Sequence, residues 1–374
     1  MRRDLIKTGL AAAFHRTGVD RAIGALVGAN HVPLVVGYHR VVEDFAAHAA
    51  RSIPAMLISR TMLERHLDWI ASRFRVIALD ELESRLDGGK TLGEPVAAIT
   101  FDDGYQDVYD HAFPLLQRKG LPAAVFVVTD LIGTSDLQLH DALYLLLAQA
   151  FASWPAAPRR LVAVLRGLGI ESSAAFDTTA IARGPLAATR ALFTALPQAD
   201  SARVVAALEA EVRIEDGVAR ALRPLSWEML SEMHRAGITI GSHTKSHAVL
   251  TNERPDTMAE ETAGSRRTLE KKLGVPVRHF AYPDGRFSPA VVSAVASAGY
   301  RLAFTTCRHR DPRHPRLTLP RRLLWEHSCV DAPKRFSPSV MSCQVNGVFD
   351  LVARCRQRHA EDGGRGRHAH ARRL

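Results

Sequence analysis

VAAITFDDGYQDVYDHAFPLLQRKGLPAAVFVV, residues 96–128, reads as one strand–helix–strand unit. Val96–Phe101 is an apolar run of strand length with no polar alternation, the pattern of a strand buried on both faces. The stretch from about Val108 to Lys119 predicts a helix, and Gly120 supplies its stop. Pro122 then precedes a second apolar run, residues 123–128. Apolar strands alternating with helices imply a parallel sheet covered by helices.

The same rhythm extends in both directions. VPLVVGYH (32–39) predicts a buried strand. ISRTMLERHLDWIASRF (58–74) follows, with Leu63, Leu67, Ile70 and Phe74 at helical spacing. RVIALD (75–80) reads as a strand and DELESRLDGG (80–89) as a short helix. Residues 131–225 change character: they are rich in alanine and leucine, and read as a helical insertion. Strands resume at ITIGSH (238–243), VRHFAYP (277–283) and YRLAFTT (300–306), with helices near 256–273 and 288–299 between them. At least six strands of this kind suggest an open doubly wound sheet or a (β/α) barrel. No glycine-rich loop follows the first strand, which counts against a dinucleotide-binding domain.

Composition fits a globular protein: of 374 residues, 47% are hydrophobic and 24% charged. No apolar run reaches the roughly 18 residues of a membrane-spanning helix. The net charge of +10 is uneven, with basic residues crowded into the first 21 positions and the last 21. LIKTGLAAAFHRTGVDRAIGALV (5–27) has the makings of a basic amphipathic helix, with Leu5, Ile6, Leu10, Ala13 and Phe14 toward one side. Its two readings are a solvated terminus and contact with an anionic membrane surface. The basic segments lack interleaved aromatics and any nucleic-acid module, so no nucleic-acid partner is expected. The N-terminal apolar stretch is broken by Lys7, His15 and Arg16 and no cleavage site follows. The expectation is a cytoplasmic chain, with a peripheral position at the inner membrane face as the second reading of its N-terminus. Cys307, Cys329, Cys343 and Cys355 form no paired spacing and are expected as free thiols. The chain divides into a basic N-terminal segment (1–30), a main domain (31–330) and a C-terminal extension with a basic, disordered tail (331–374).

In either architecture the chemistry sits at the C-terminal ends of the strands. The first strand ends in Tyr38 and His39, the strand at 96–101 in Asp102, Asp103 and Gly104, ITIG in His243 and His247, and HFAYP in Asp284 and Gly285. Two histidines four apart converge if the chain turns into helix there. With one carboxylate they complete a three-ligand set for a borderline divalent metal. A metal on one aspartate offsets the repulsion between the adjacent acids, and the second is then free to act as a base.

ITFDDGY, SHTKSH and FAYPDG, in this order, resemble the motifs of the NodB-homology polysaccharide deacetylases, carbohydrate esterase family 4. GYHRV (37–41) and PLSWEMLSEMHRAGITIGSH (224–243) extend the resemblance over roughly residues 32–325. It implies a distorted (β/α) barrel and hydrolysis of N-acetyl groups on amino sugars, with an N-acetylated glycan or sugar intermediate as partner. It implies Asp102 as general base and Asp103, His243 and His247 as metal ligands, with Zn2+ as default and Co2+, Ni2+ or Mn2+ as alternatives. The oxyanion would be held by the metal and a backbone N–H near Asp284. Tyr105, His39, Tyr282 and Asp284 are the expected substrate-binding residues around the rim.

The chain also departs from the family pattern. Many members carry an arginine in a motif of the form RPPYG that orients the base; the aligned residue here is Ala281. Arg321, in the Leu319–Arg321 stretch, is the candidate replacement, with Arg322 adjacent. The LxIH motif that carries the general acid is missing, and His327 in LLWEH is the best replacement by position, with His39 second. Two other functions remain open at this stage: hydrolysis of another C–N bond, such as a cyclic amide, and a non-catalytic glycan-binding role. Absence of a leader sequence favours a nucleotide-linked or lipid-linked sugar over an extracellular polymer.

Overall fold

The computed structural model describes residues 2–26, 33–88, 94–170 and 178–351. Its strands are β1 Leu34–Tyr38, β2 Arg40–Val42, β3 Leu57–Ser59, β4 Arg75–Val76, β5 Val96–Phe101, β6 Ala124–Val127, β7 Thr239–Ser242, β8 His279–Ala281, β9 Leu302–Thr305, β10 Leu319–Pro320 and β11 Arg322–Leu323. Nine form one sheet in the order β10-β9-β8-β7-β6-β5-β1-β11, with β4 beside β5 off that path. Every pairing is parallel, and β1 and β5 run in register from Leu34↔Ala97 to Tyr38↔Phe101. The two ends of the sheet, β10 and β11, are consecutive in the chain and share a single linking residue, Arg321. The sheet thus curls into a nearly closed, distorted barrel, and the open doubly wound alternative is set aside.

Alternation along the strands fills both faces. Val35, Val96, Ala98, Ala124, Phe126, Ala281, Leu302, Phe304 and Leu319 form the interior, joined by Leu79 and Leu82. Val36, Ile99, Phe101, Val125 and Val127 face outward and meet Leu63, Leu67, Ile70, Leu115, Leu116 and Met233 of the surrounding helices. A strand with no solvent face has no polar alternation, which is why these runs read as continuous apolar sequence.

Two expectations are corrected. RVIALD is a strand only at Arg75–Val76; a helix begins at Leu79 and carries Leu79 and Leu82 into the barrel interior. Asp80 and Glu81 fall in the first turn of that helix, where its unpaired N–H groups favour acids. The long helix near 256–273 is continuous only through a π-helical turn at Glu260–Gly264.

The insertion between β6 and β7 is helical, as expected, and builds its own core from Leu143, Leu146, Leu147, Leu161, Ile181, Leu192, Val204 and Leu208. It is latched to the loops at the strand ends. Asn252 Nδ2 donates to the carbonyls of Thr194 (3.2 Å) and Leu196 (3.1 Å), Arg286 Nη1 to Thr194 (2.7 Å), and the Gln198 amide to Glu253 Oε1 (2.7 Å).

The terminal segments pack on one another. The helices Arg2–Thr17 and Val19–Leu26 lie against the helix Pro338–Val345, burying Ala11, Val340, Cys343 and Val348, with Phe14 packed inward beside them. Phe14 therefore leaves the exposed side on which Leu5, Ile6 and Leu10 remain. Asp20 is fully buried there and accepts hydrogen bonds from Ser342 Oγ (2.5 Å) and the Arg21 amide (2.9 Å). Cys307, Cys329 and Cys343 are buried and form no disulfide with one another, whereas Cys355 and the basic tail lie outside the described residues.

His66 sits on the helix Arg60–Ala71 with Nδ1 3.3 Å from the Tyr38 hydroxyl and its ring against Phe336, and its Nε2 has no partner among the described residues. Burial pushes its pKa from 6.5 down to about 3. Between those values the unfolded chain binds a proton that the native chain refuses, so stability falls as pH drops through this window. Denaturant unfolding of wild type and His66→Gln at pH 7 and at about pH 4.5 tests this. The wild type is expected to lose about 2–3 kcal/mol more than the variant on acidification.

Candidate metal centre

β5, β7, β8 and β1 all deliver their C-terminal ends to one cavity of about 1000 Å³, lined among others by His39, Asp102, Asp103, His243, His247, Tyr282 and Asp284. The local turns do the placing. The Asp102 amide donates to the Tyr38 carbonyl (2.9 Å), which carries the β1–β5 ladder one residue past the strand. Asp103 and Gly104 then both take left-handed backbone, φ 73° and 76°. This turn sends the Asp103 side chain away from that of its neighbour. Gly104 is required there, because a Cβ would lie 3.0 Å from Val127 Cγ1 as well as sitting at positive φ.

The histidine loop is not a helix. Thr244 and His247 are left-handed, φ 69° and 66°, so the chain coils back and brings His247 beside His243. Glu261 holds this loop by accepting from the Lys245 amide (2.8 Å), the Ser246 amide (3.0 Å) and Ser246 Oγ (2.7 Å). Four residues of helix would also have aligned the rings; here two residues of unfavourable backbone do so.

Asp103, His243 and His247 present ligand atoms that all lie within 4.8 Å of one another. The Asp103 Oδ1 is 3.4 Å from His243 Nε2 and 3.1 Å from His247 Nε2. His243 Nδ1 donates to the Ala281 carbonyl (2.7 Å), which fixes its tautomer and leaves the Nε2 lone pair facing the carboxylate. Burial brings the His243 pKa down to about 4, so the ring is neutral. Burial works to raise the Asp103 pKa, but His247, His39 and His140 outweigh it and hold the carboxyl well below the ordinary range. Among the described residues, Asp103 Oδ2 and His247 Nδ1 have no hydrogen-bond partner, and Asp103 Oδ1 meets only the two imidazoles. A buried anion with so few donors is costly. Two imidazoles and a carboxylate converging on one point fit a borderline divalent cation such as zinc.

Asp102 is compensated differently. Arg321 Nη1 donates to Oδ1 (2.7 Å) and Nη2 to Oδ2 (2.6 Å), a two-pronged pair with both side chains buried. Burial works to raise the Asp102 pKa, and the Arg321 charge outweighs it, so the acid stays ionised. Nη1 also reaches Thr100 Oγ1 (3.1 Å), and the guanidinium lies over the Phe126 and Phe304 rings at 5.4 and 5.9 Å. Arg322 turns away, to Asp350 (2.9 Å) and the Val345 carbonyl (3.1 Å). The cation missing at Ala281 is therefore present, delivered by the link between β10 and β11.

Of the remaining expected residues, His39 and Tyr282 line the cavity; the Tyr282 hydroxyl is tied to the Leu317 carbonyl (2.8 Å). Asp284 stands at the rim, left-handed at φ 53° and 3.7 Å from Arg286. His327 does not line the cavity: its ring is packed against Phe45 and Trp325, each at 4.9 Å. Tyr105 is not a rim residue either. It is buried beneath the site, donating to Asp141 Oδ2 (2.6 Å) and facing His140 Nε2 (3.1 Å).

The sequence reading missed the wall supplied by the insertion. The His140 ring is 4.7 Å from that of His247, and Phe193 stacks on His247 at 5.5 Å with 28° between planes. Leu186 and Arg190 line the same side. The adjacent His140–Asp141 pair at the start of the insertion was the one visible signal.

A family model described as polysaccharide deacetylase matches residues 89–303. YxkH of Bacillus subtilis (strain 168), named for the same class, is 20% identical over 260 residues, 69% of this chain and 62% of its own length. The poly-beta-1,6-N-acetyl-D-glucosamine N-deacetylase of Escherichia coli (strain K12) is 30% identical over 123 residues, 32% of this chain and 18% of its own. The chain thus spans less than two thirds of the length of either relative. Among solved structures, IcaB from Ammonifex degensii superposes with a TM-score of 0.50 at 21% identity, covering 84% of this chain and 97% of that one. The deacetylase PplD of Streptococcus pyogenes gives 0.50 at 17%, covering 79% and 93%. At such identities these two structures speak for the shared fold.

Calorimetric titration of metal-stripped protein with zinc checks the centre. One ion per chain is expected. Asp103→Asn or His243→Ala should weaken binding by more than the roughly 10–100-fold typical of outer-shell changes, while Asp102→Asn retains it.

Proposed function

The chain belongs to the polysaccharide deacetylase family, and from that premise we propose that it is a metal-dependent hydrolase that removes the acetyl group from an N-acetyl amino sugar. The observation that carries this reading is the pairing of two adjacent buried carboxylates with different partners: Asp103 with two histidines, Asp102 with an arginine fork. When bound by Asp103, His243 and His247, a divalent ion would polarise the acetyl carbonyl and acidify a water. Asp102, kept ionised by Arg321, accepts the proton of the attacking water. His39, half-buried in the cavity wall, takes the role of proton donor to the departing amine in preference to His327. Tyr282, Phe193 and Leu186 give the sugar apolar walls.

The E. coli relative's name specifies poly-β-1,6-N-acetyl-D-glucosamine, which supports an N-acetylglucosamine unit as the substrate here. The panel to be tested comprises N-acetylglucosamine oligomers, a nucleotide-linked N-acetyl sugar and a lipid-linked one. Acetate release abolished by chelation and restored by zinc or cobalt is the expected result. Silence on the whole panel by zinc-loaded protein would transfer the reading to another C–N substrate or to glycan binding.

Asp102→Asn should lower kcat roughly 10²–10⁴-fold with metal content unchanged. Arg321→Gln removes the charge that holds the Asp102 pKa down, so the acidic limb of the kcat profile should move to higher pH. Acetate release measured from acid to neutral pH for wild type and Arg321→Gln reads this shift directly.

A further inference from the structure

Among the described residues, the strongly exposed large apolar side chains are Leu5 (56%), Ile6 (61%), Leu10 (51%), Val19 (39%), Leu26 (87%) and Leu351 (61%). All six belong to the terminal unit: three to the helix Arg2–Thr17, two to the helix Val19–Leu26, and one to the turn Val348–Leu351 that packs beside it. On the first helix, Leu5, Gly9, Ala13 and Arg16 follow one another at three- and four-residue intervals, flanked by Ile6, Leu10 and Thr17, and all seven are exposed. The opposite face is fully engaged, with Ala11 and Phe14 seated on Val340, Cys343 and Val348. A surface helix ordinarily turns polar residues outward. This one is docked by one apolar side and offers a second to solvent.

We infer that this face is an interfacial anchor, lying in the plane of an anionic lipid surface. Charge selects that occupant. The sequence places Arg2 and Arg3 in the first turn, and Arg16 and Arg21 are exposed around the apolar stripe. The carboxylates of the same corner are already engaged: Asp20 is buried on Ser342, Asp4 pairs with Lys334 (3.6 Å), and Asp350 takes Arg308 (3.0 Å) and Arg322 (2.9 Å). What remains toward solvent is apolar and positive, the pairing that suits headgroup phosphates above acyl chains. At 16 residues and ~24 Å the helix is too short to span a bilayer, and no described helix is long and apolar enough to cross one. The helix Pro338–Val345 carries the terminal helices, and its last residues Gln344 and Val345, with Asn346, border the large cavity into which the metal centre also opens.

The test is co-sedimentation of the full chain with large vesicles of phosphatidylcholine, with and without phosphatidylglycerol, at low salt. Binding to the anionic vesicles is expected, weaker by roughly tenfold or more on pure phosphatidylcholine. Leu5→Gln/Ile6→Gln/Leu10→Gln should lose binding by a similar factor. These side chains are exposed, so the melting temperature and zinc stoichiometry of the variant should match wild type and certify its fold. Wild type that stays in the supernatant with anionic vesicles, or a triple variant that binds like wild type, overturns the inference. Light scattering adds one more arm: a dimer formed by wild type and lost in the variant would assign the face to a second copy and likewise overturn it.

Discussion

Two ionised carboxylates on consecutive residues, both removed from water, repel each other unless each has its own source of positive charge. The strand-end architecture answers that constraint. Asp102 continues the line of β5 and takes the Arg321 fork from inside the barrel. Asp103 is swung by left-handed backbone toward β7 and meets His243 and His247. The same sequence step that creates the conflict therefore separates its two halves in space. In the proposed chemistry each half has a task that suits an anion, one as ligand and one as proton acceptor.

The arrangement is held at some conformational cost. Among the described residues six other than glycine have positive φ, and four of them, Asp103, Thr244, His247 and Asp284, lie in this one cluster. Such backbone persists where surrounding bonds over-determine it. Here Gln138 Nε2 donates to the Asp103 carbonyl (2.9 Å), the Leu225 amide to the Gly104 carbonyl (2.8 Å), and Glu261 gathers the histidine loop. Gln138 and Leu225 stand at the two ends of the helical insertion. That segment is therefore part of the frame that fixes the aspartate turn, as well as the wall that carries Phe193 and His140.

Much of this could be read from the chain. β5, β1, β6 and β9 are long enough, and buried on both faces, to announce themselves as apolar runs, and their termini placed the acids and histidines on one rim. β2, β3, β10 and β11 are two or three residues long, too short for any periodicity to register. Arg321 and Arg322 could not be told apart for the same reason: which of two neighbours faces inward depends on the register β11 adopts against β1, a tertiary fact. His327 was chosen by sequence position, whereas the fold packs it between aromatic rings outside the cavity. The insertion's contribution was invisible because nothing in a helix of alanines and leucines says which turn will be laid over a distant loop.

The barrel closes through a single residue. β10 pairs with β9 and β11 pairs with β1, so Arg321 is at once the last link in the ring and the counter-ion of Asp102. In the folded chain the guanidinium reaches the carboxylate across a ring whose strands run from Leu34 to Leu323. An incompletely closed chain would leave Asp102 without its cation, and burial would then drive that acid toward the protonated form. In the proposed chemistry, ring closure thus serves as a checkpoint: the base receives its counter-ion only when the β10–β11 link is in place.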